Sequence, residues 1–519
     1  MKEVVDTKQY KKINPYIIAF TVLLPAFLAL AASSATNVCQ PNIAGYFGAT
    51  PYEANTVVTS YIISGGLMLP ITGFLVKNFG KKKVMLYSIA LFCIGAIFCL
   101  LAVNLPMLIL ARIVQGIGSG CILPVCQAVL LESFAIEKRG VAMGLFGIAA
   151  MFSPLAGPFM GGYLTDNLSW QWVFIINIPL CILSLLLVKI LLPESEIVRE
   201  KYNKRFDYAG YISVVVAMAC LQIVLDKGEQ FNWFDTPWIC ILTGICIFSF
   251  IFFIVWELEY KYPLVDIRIF KDRNYFFGTF VSSFLNIMLY STLLLVPMFS
   301  QNLLGYSPSA SGLAMFPRAI ACFVGLIIVG EVSRYVENRV LTIIGLLIIG
   351  GSLISMTSLN TTASMQSIII PNIILCFGVA VAFIPITSLS FLTLPASKNA
   401  EAAGMHALFK NIVTAMATAL SATFISRASQ VHSNYLVGNL SPNNPLFYHK
   451  LAMAQHKFST YFAPFTAAKK AGGSLYKQML LQAKLCSFYD AFQILALLAI
   501  LVIPMVLILK TKAPKRKAA

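Results

Sequence analysis

Charged residues are scarce in this sequence. Asp, Glu, Lys and Arg together make up 11% of its 519 residues, whereas soluble domains carry about 25%. Hydrophobic residues make up 58%, and the mean hydropathy is +0.80. A soluble chain of this length cannot bury so much apolar surface, and the long unbroken apolar runs also exclude an outer-membrane barrel. We therefore expect an all-α polytopic membrane protein.

Motifs for metals, nucleotides and catalysis are also missing. The 12 cysteines contain no Cys-x-x-Cys pair, and the spacing of Cys121 and Cys126 does not suit a metal. Gly73 and the pair Gly80-Lys81 lack the spacing and the hydroxyl of a phosphate-binding loop. No paired carboxylates and no nucleophile–base pair converge in the sequence, which argues against an enzyme. We expect no cofactor and no metal site.

Acidic residues are few, 21 against 38 Lys and Arg, which gives a net charge of +17. Apart from the long segment 427–487, the segments between apolar runs alternate in charge. On one side they are rich in Lys and Arg, and on the other side they hold a single cation, Lys227. This pattern predicts that both termini are cytoplasmic. The basic charge thus indicates topology, and we expect no nucleic-acid partner.

The apolar runs predict fourteen transmembrane helices of about 20 residues each. Two six-helix halves and two inserted helices account for them. The predicted divisions are a cytoplasmic N-terminus (1–15), an N-terminal half (16–192), the inserted helices (209–256), a C-terminal half (275–509), a long periplasmic loop within that half (427–487) and a basic cytoplasmic tail (510–519).

Arg112 is the most prominent ionisable residue inside an apolar run. A charge within a membrane span is expensive to keep and indicates a functional site. Arg112, Gln115 and Ser119 lie on one helix face by their spacing. In a cavity, such an arginine biases the protonation of a partner or binds an anion. The structural alternative is an arginine satisfied by backbone carbonyl groups.

Four groups of residues resemble motifs of the major facilitator superfamily. The first group follows the second predicted span and consists of Gly73 with Gly80-Lys81-Lys82. The second and third lie in the fourth and fifth spans and are Arg112 with Gln115, Gly116 and Gly118, and Gly157-Pro158 with Gly161-Gly162. The fourth begins the sixth span and consists of Trp170, Trp172, Phe174, Asn177 and Pro179. Over nearly the whole chain the sequence resembles the EmrB/QacA-like branch of the fourteen-span drug:proton antiporters, and within it EmrB.

The resemblance implies the major facilitator fold and alternating access in a bacterial inner membrane. It also implies that a set of motif residues serves the conformational change: Gly73, Gly80, Lys81, Gly116, Gly157, Pro158, Gly161 and Gly162. At Gly157-Pro158 both a hinge and a passive kink fit the sequence.

The long loop 427–487 holds seven Lys or Arg and no Asp or Glu, and two amphipathic helices are expected in it, from Leu446 onward and at 475–485. Ser441 to Pro445 predicts a turn that leads into the first of them. The resemblance implies a periplasmic membrane-fusion adaptor and an outer-membrane channel as partners of this loop. Basic helices that lie on anionic membrane lipids are the alternative.

The chain departs from this family at its intramembrane charges. Alignment on Asn37 and Pro41 places Ala32 where relatives carry an acid in the first helix. In the thirteenth predicted helix, His406 and Lys410 stand where relatives have an arginine. A cavity so poor in acid suits hydrophobic weak acids better than dicationic drugs.

The candidate site residues fall into two groups. Candidates for coupling and proton relay are Arg112, Lys410, His406 and Glu132. Candidates for the substrate cavity are Asn37, Gln40, Gln115, Ser119, Asn286, Tyr290 and Arg318.

We expect a proton-coupled multidrug efflux transporter that exports small hydrophobic, weakly acidic compounds. The missing acid in the first helix leaves the proton carrier open. Two alternatives fit the same sequence. One is a dedicated exporter of a single metabolite, such as a siderophore or a peptide. The other is a membrane sensor that has lost transport.

Overall fold

The computed structural model describes residues 14–134, 138–194, 207–260, 267–306, 308–333, 335–395, 398–440 and 444–511. All regular secondary structure within these ranges is helical. The predicted terminal segments 1–15 and 510–519 lie almost entirely outside the described residues.

The N-terminal half begins with a helix that is broken by neither of its two prolines, Pro25 and Pro41. Its helices are α1 (Pro15–Phe47), α2 (Pro51–Met68), α3 (Thr72–Phe79), α4 (Lys81–Leu100), α5 (Leu105–Gly120), α6 (Ile122–Ser133), α7 (Arg139–Gly147), α8 (Ser153–Asn167), α9 (Trp172–Ile175) and α10 (Asn177–Leu191). One π-helical turn, Ile148–Phe152, joins α7 to α8. The α2 and α3 helices form one segment with a bend of 55°.

The inserted pair and the C-terminal half follow. Their helices are α11 (Tyr208–Lys227), α12 (Pro237–Glu259), α13 (Arg273–Asn302), α14 (Pro308–Val332), α15 (Asn338–Met356), α16 (Met365–Ser390), α17 (Asn399–Val437), α18 (Pro445–Ser459) and α19 (Pro464–Ile508).

Among the described residues, 12 helices are long and apolar enough to cross a membrane, or 13 if the bent α2–α3 pair counts as one span. The protein is therefore a multi-pass helical membrane protein. The total of fourteen stays a prediction. The segment predicted as the fifth span is helical from Arg139 to Asn167 but is not among these candidates.

Local sequence explains where several helices begin. Thr50 and Glu53 form a capping box at the start of α2, and the Asn104 side chain accepts a hydrogen bond from the first turn of α5. Such caps satisfy backbone N–H groups that have no partner within the helix. The chain turns at Gly80, whose φ of +80° lies in the left-handed region that favours glycine. Lys81 thereby becomes the first residue of α4.

Each half is held together by closely crossing helices. The α1 helix packs along α8, and α5 packs between α2 and α4; in the second half, α13, α14 and α15 all pack on α16. At the crossing of α1 and α8, a Cβ at Gly161 would lie only 2.6 Å from the carbonyl oxygen of Ala35. This crossing therefore requires a glycine.

The inserted pair lies on the seam between the halves. The α11 and α12 helices pack on each other, and α11 contacts both α2 and α17. One buried apolar cluster joins Leu69 beside α2, Met218 of α11, and Met405 and Leu408 of α17. The pair thus covers the seam where α2 faces α17.

The segment 427–487 is mostly continuous helix. The 39 residues of α17 and the 45 residues of α19 are about 58 Å and 68 Å long, twice the roughly 30 Å of a bilayer core. The α18 helix lies between them and begins at Pro445, with the Asn444 side chain accepting a hydrogen bond from the Leu446 N–H at 3.0 Å. The predicted turn falls partly on 441–443, which lie outside the described residues.

Candidate transport site

A central cavity of about 290 Å³ lies between the two halves. The N-terminal half contributes α1, α2, α5, α6 and α7 to its wall, and the C-terminal half contributes α13, α16 and α17. Its polar lining residues are Ser33, Tyr61, Ser119, Gln127, Asn286, Tyr290, His406, Lys410, Asn411 and Thr414. Most of the remaining wall is aliphatic or aromatic, which suits a hydrophobic ligand with a few polar groups.

The charges of this cavity are all basic. Lys410 and His406 are its ionisable residues of the Lys, Arg, His, Asp and Glu types, and no Asp or Glu of the described residues lines it. The Nζ atom of Lys410 lies 4.8 Å from the ring centroid of Phe383, a cation–π contact. Within the described residues Lys410 has no ion pair. A cation in an apolar cavity without a counter-ion attracts an anionic ligand.

His406 lies one helical turn from Lys410 on α17 and is buried, with 1% of its surface exposed. Its ring packs edge-on against Phe391 at 5.6 Å. The Nε2 atom has no hydrogen-bond partner among the described residues. His406, Lys410 and Thr414, spaced four residues apart on α17, thus all face the cavity.

Arg112 is fully buried but does not line the cavity. Its Nε donates to the Val57 carbonyl at 3.2 Å, and its Nη1 donates to Gln115 Oε1 at 2.7 Å. Its guanidinium lies 4.2 Å from the ring centroid of Tyr61. Tyr61 itself lines the cavity and donates to the Ala29 carbonyl at 2.6 Å. Arg112 therefore supports the cavity wall from behind, and Gln115 shares this position.

Arg318 occupies a similar place in the C-terminal half. It is fully buried, and its Nη2 donates to the Leu289 carbonyl and to Thr292 Oγ1, both at 3.0 Å. Its Nη1 lies 3.4 Å from Asn372 Oδ1. Leu289 lines the cavity and Arg318 does not. Like Arg112, Arg318 is held by neutral acceptors.

Glu132 and Lys81 form an ion pair away from the cavity. Lys77 of α3 and Glu401 of α17 form a second pair at 2.8 Å, which joins the two halves. We call the end of the helix bundle that carries these two pairs the basic end; it is the end predicted to be cytoplasmic. Gly73 lies against Glu401, since a Cβ there would be 3.4 Å from the Glu401 Cα. The halves are therefore in contact at the basic end.

The predicted substrate residues do not all lie together. Ser119, Asn286 and Tyr290 line the cavity, whereas Gln115 and Arg318 lie behind its wall. Asn37 is exposed. Gln40 donates to Asn55 at 2.7 Å, and Asn55 donates to Asp226 of α11 at 3.0 Å, in a chain at the end opposite to the basic end.

Two of the remaining motif glycines lie at close helix contacts. Gly116 faces Tyr61 and Ser64 of α2, and Gly157 faces Ser34 of α1, both at distances that leave no room for a side chain. A Cβ at Gly162 would be 3.7 Å from Val38 Cγ1. Pro158 lies within α8.

Ala32 is buried on the face of α1 that meets α8, α9 and α10. The cavity face of α1 instead carries Ala29, Leu30 and Ser33. The position that aligns with the acid of relatives therefore does not open into this cavity.

Gln127 was missed by sequence reasoning although it lines the cavity. With Ser119 and Leu123 it forms a series of lining residues spaced four residues apart along one face of α5 and α6. A search for polar residues at this spacing would have found it.

Comparisons with known proteins agree with this architecture. A model of the Major Facilitator Superfamily matches residues 22–418. The probable multidrug resistance protein EmrY of Escherichia coli is 32% identical over 83% of this chain and 84% of its own. The multidrug export protein EmrB of Escherichia coli is 29% identical over 83% and 84%, and the fatty acid resistance protein FarB of Neisseria gonorrhoeae is 29% identical over 82% and 83%.

Two solved structures share the fold. The human organic anion transporter MFSD10 has a TM-score of 0.57 at 13% identity, covering 95% of this chain and 100% of its own. The proton:xylose symporter XylE has a TM-score of 0.54 at 14% identity, covering 91% and 94%. With the family model, the relatives and the helical architecture in agreement, this chain belongs to the Major Facilitator Superfamily and is an EmrB-like member of it.

Proposed function

We propose that this protein is an inner-membrane efflux transporter that exports hydrophobic weak acids in exchange for protons. One observation carries the proposal: the cavity between the halves is lined by Lys410 and His406, and by no Asp or Glu of the described residues. Charge complementarity favours an anionic ligand in such a cavity, and the apolar walls favour a hydrophobic one.

The names of similar proteins support efflux of such compounds. EmrY and EmrB are named for multidrug resistance and export, and FarB for resistance to fatty acids. A fatty acid is a hydrophobic weak acid. A single-metabolite exporter remains the alternative within transport, and a sensor that has lost transport remains the alternative outside it.

Proton coupling requires a group that titrates during the cycle. Of the proposed relay residues, Lys410 and His406 line the cavity, whereas Glu132 is held by Lys81 and Arg112 by neutral acceptors. We therefore assign proton exchange to Lys410 and His406. Exchange requires that the carrier hold the proton while it returns without substrate and release it before substrate binds. The proton and the anion therefore occupy the carrier in turn.

Outside the cavity, the proposal keeps both termini cytoplasmic and assigns an adaptor to the helices of 427–487. In the described part of this segment, α18 presents Lys450 and Lys457. The ends of α17 and α19 continue beyond the bilayer beside it. A basic helical surface fits an acidic adaptor that leads to an outer-membrane channel, and it also fits anionic lipids. Deletion of 430–484, with efflux and membrane insertion measured separately, distinguishes docking from a role in folding.

The function is tested with purified protein in liposomes. Radiolabelled decanesulfonate is a suitable probe because its permanent charge prevents passive crossing of the bilayer. With an imposed pH gradient we expect it to move against its own concentration gradient, and decyltrimethylammonium to move much less. Preferential transport of the cation would refute an anion exporter, and transport of neither would favour the sensor.

A further inference from the structure

Gln127 is a buried polar residue of the cavity lining. Its side chain is 2% exposed and lines the central cavity. The amide Nε2 has no hydrogen-bond partner among the described residues. A buried donor that stays unpaired costs free energy, so a ligand that accepts from it gains that free energy back.

His406 stands in the same situation on the other half. His406 also lines the cavity, and its Nε2 atom is buried and lacks a partner among the described residues. Donation from this nitrogen requires the tautomer or charge state that carries a proton there. Two residues of the cavity lining, one from each half, thus carry a buried side-chain nitrogen without a partner among the described residues.

Gln127 and His406 are the lining residues of α6 and α17 that come nearest in sequence to the glutamates of the basic end. Gln127 precedes Glu132 by five residues on α6, and His406 follows Glu401 by five residues on α17. Both glutamates belong to ion pairs of the basic end. Five residues of helix rise about 7.5 Å, so Gln127 and His406 both lie at the floor of the cavity nearest the basic end.

Lys410 completes the group from one helical turn further along α17, about 6 Å above His406. The α6 helix packs directly on α17, so the three side chains face one space. A hydrogen bond from a positive group to an anion is roughly twice as strong as one between neutral groups. Two neutral donors and one cation suit a group that has several acceptor oxygens and one negative charge.

We propose that Gln127, His406 and Lys410 form a headgroup subsite that binds a single carboxylate or sulfonate at the closed end of the cavity. This inference rests on the proposed function and specifies which part of the substrate is recognised. The apolar tail extends away from the basic end, along Leu30, Ile62 and Leu289. The substrate class is a monoanionic amphiphile, because Lys410 is the one lysine or arginine among the described lining residues.

Binding to the full-length protein in lipid nanodiscs tests the subsite. Three ligands share one tail and differ in headgroup: decanesulfonate, decanol and decyltrimethylammonium. For Gln127→Leu we expect the affinity for decanesulfonate to fall roughly tenfold, since a hydrogen bond to a charged group is lost. The affinity for decanol stays within about twofold, because an uncharged headgroup gains little from this donor.

A matched control is Gln171→Leu. Gln171 also has a buried amide atom without a partner in the described part of the chain, but it lies outside the cavity lining. This variant should bind all three ligands as the unmodified protein does. Gln127→Glu keeps the size of the side chain and adds a negative charge. We expect it to lose more decanesulfonate affinity than Gln127→Leu and to gain affinity for decyltrimethylammonium.

The outcomes separate the subsite from the proposed function. Equal losses for all three ligands in Gln127→Leu, or an unchanged ligand preference in Gln127→Glu, would refute the subsite while leaving anion export intact. If the unmodified protein bound the cation in preference to decanesulfonate, the proposed function itself would fail. Thermal unfolding of each variant shows that the compared proteins are folded.

Discussion

The basic end and the central cavity hold their positive charges in opposite ways. At the basic end, Lys77 and Lys81 are paired with Glu401 and Glu132. In the cavity, Lys410 has the face of Phe383 and, among the described residues, no carboxylate. Ion pairs at the basic end hold helices and halves together. A cation without a counter-ion is expensive to keep, and our proposal is that a ligand supplies the missing charge.

The two intramembrane arginines represent a third arrangement. Arg112 and Arg318 are fully buried and are held by carbonyl, amide and hydroxyl oxygens. Each bonds to residues beside or within the cavity wall rather than to its interior. Their planar guanidinium groups connect neighbouring helices at fixed angles, which a flexible lysine would not do. The comparison therefore predicts different effects for different cations.

Removal of the cavity cation should have the largest effect. In Lys410→Gln we expect the dissociation constant for decanesulfonate to rise at least 30-fold, because loss of one partner of a desolvated charge pair costs about 2–5 kcal/mol. Lys410→Arg serves as the control and should retain most of the affinity. Calorimetric titration measures both affinities. An unchanged affinity in Lys410→Gln would show that the cavity cation, like the paired cations of the basic end, does not bind substrate.

Proton coupling should depend on the residues of the cavity and not on the ion pairs of the basic end. The double variant Lys410→Gln/His406→Gln should lose transport driven by a pH gradient. Glu132→Gln should keep it at about half or more of the original rate, since Glu132 lies outside the cavity lining. Uptake of decanesulfonate into liposomes with an imposed pH gradient measures this. If only Glu132→Gln abolished coupling, the proton carrier would lie at the basic end.

Arg112→Lys should affect stability and leave ligand preference intact. The lysine cannot make both hydrogen bonds that the guanidinium donates to Val57 and Gln115, and we expect this loss to lower the free energy of unfolding by about 2 kcal/mol. The folded fraction should bind decanesulfonate within about threefold of the original affinity, because Arg112 does not line the cavity. The melting temperature and the affinity are measured on one preparation. A reversed preference with unchanged melting temperature would mean that Arg112 contacts substrate.

The smallest effect is expected at the pair that joins the halves. Lys77 is 40% exposed, so solvent screens its ion pair with Glu401. Lys77→Ala should therefore shift the equilibrium between states open and closed at the basic end by about 1 kcal/mol, roughly fivefold. Spin labels at positions 83 and 398 report the opening by their distance distribution. The exchange Lys77→Glu/Glu401→Lys should restore the original distribution; failure to do so would show that the pair does not set this balance.

The sequence predicted the helices better than their limits. Runs of apolar residues indicate which segments cross a bilayer, and Asn444-Pro445 correctly predicted the start of α18. The sequence predicted a separate helix at 475–485, but not that it is continuous with the last span in α19 or that α17 continues to Val437. Hydropathy detects only the part of a helix that meets lipid, and the residues beyond it are polar enough to resemble a loop.

The sequence indicated which residues are candidates for the site, but not which of them lie together in the cavity. Helical spacing correctly grouped Arg112 with Gln115, yet it does not tell which partner helix covers that face. Tyr61, fifty-one residues earlier, separates Arg112 from the cavity. Ala32 is a second example. The sequence gives its position in α1, but its orientation toward α8 follows from the close crossing of the two helices at Gly161. Contacts between distant segments decide both positions.

The unbroken α19 helix has a mechanical consequence. One end of it packs within the C-terminal half, and the other packs against α18 far from the basic end. A helix about 68 Å long behaves as a lever, and a tilt of about 5° at one end displaces the other by about 6 Å. Any tilt of the C-terminal half would therefore move the far end of α19, and a protein bound to α18 would sense that movement without contacting the substrate.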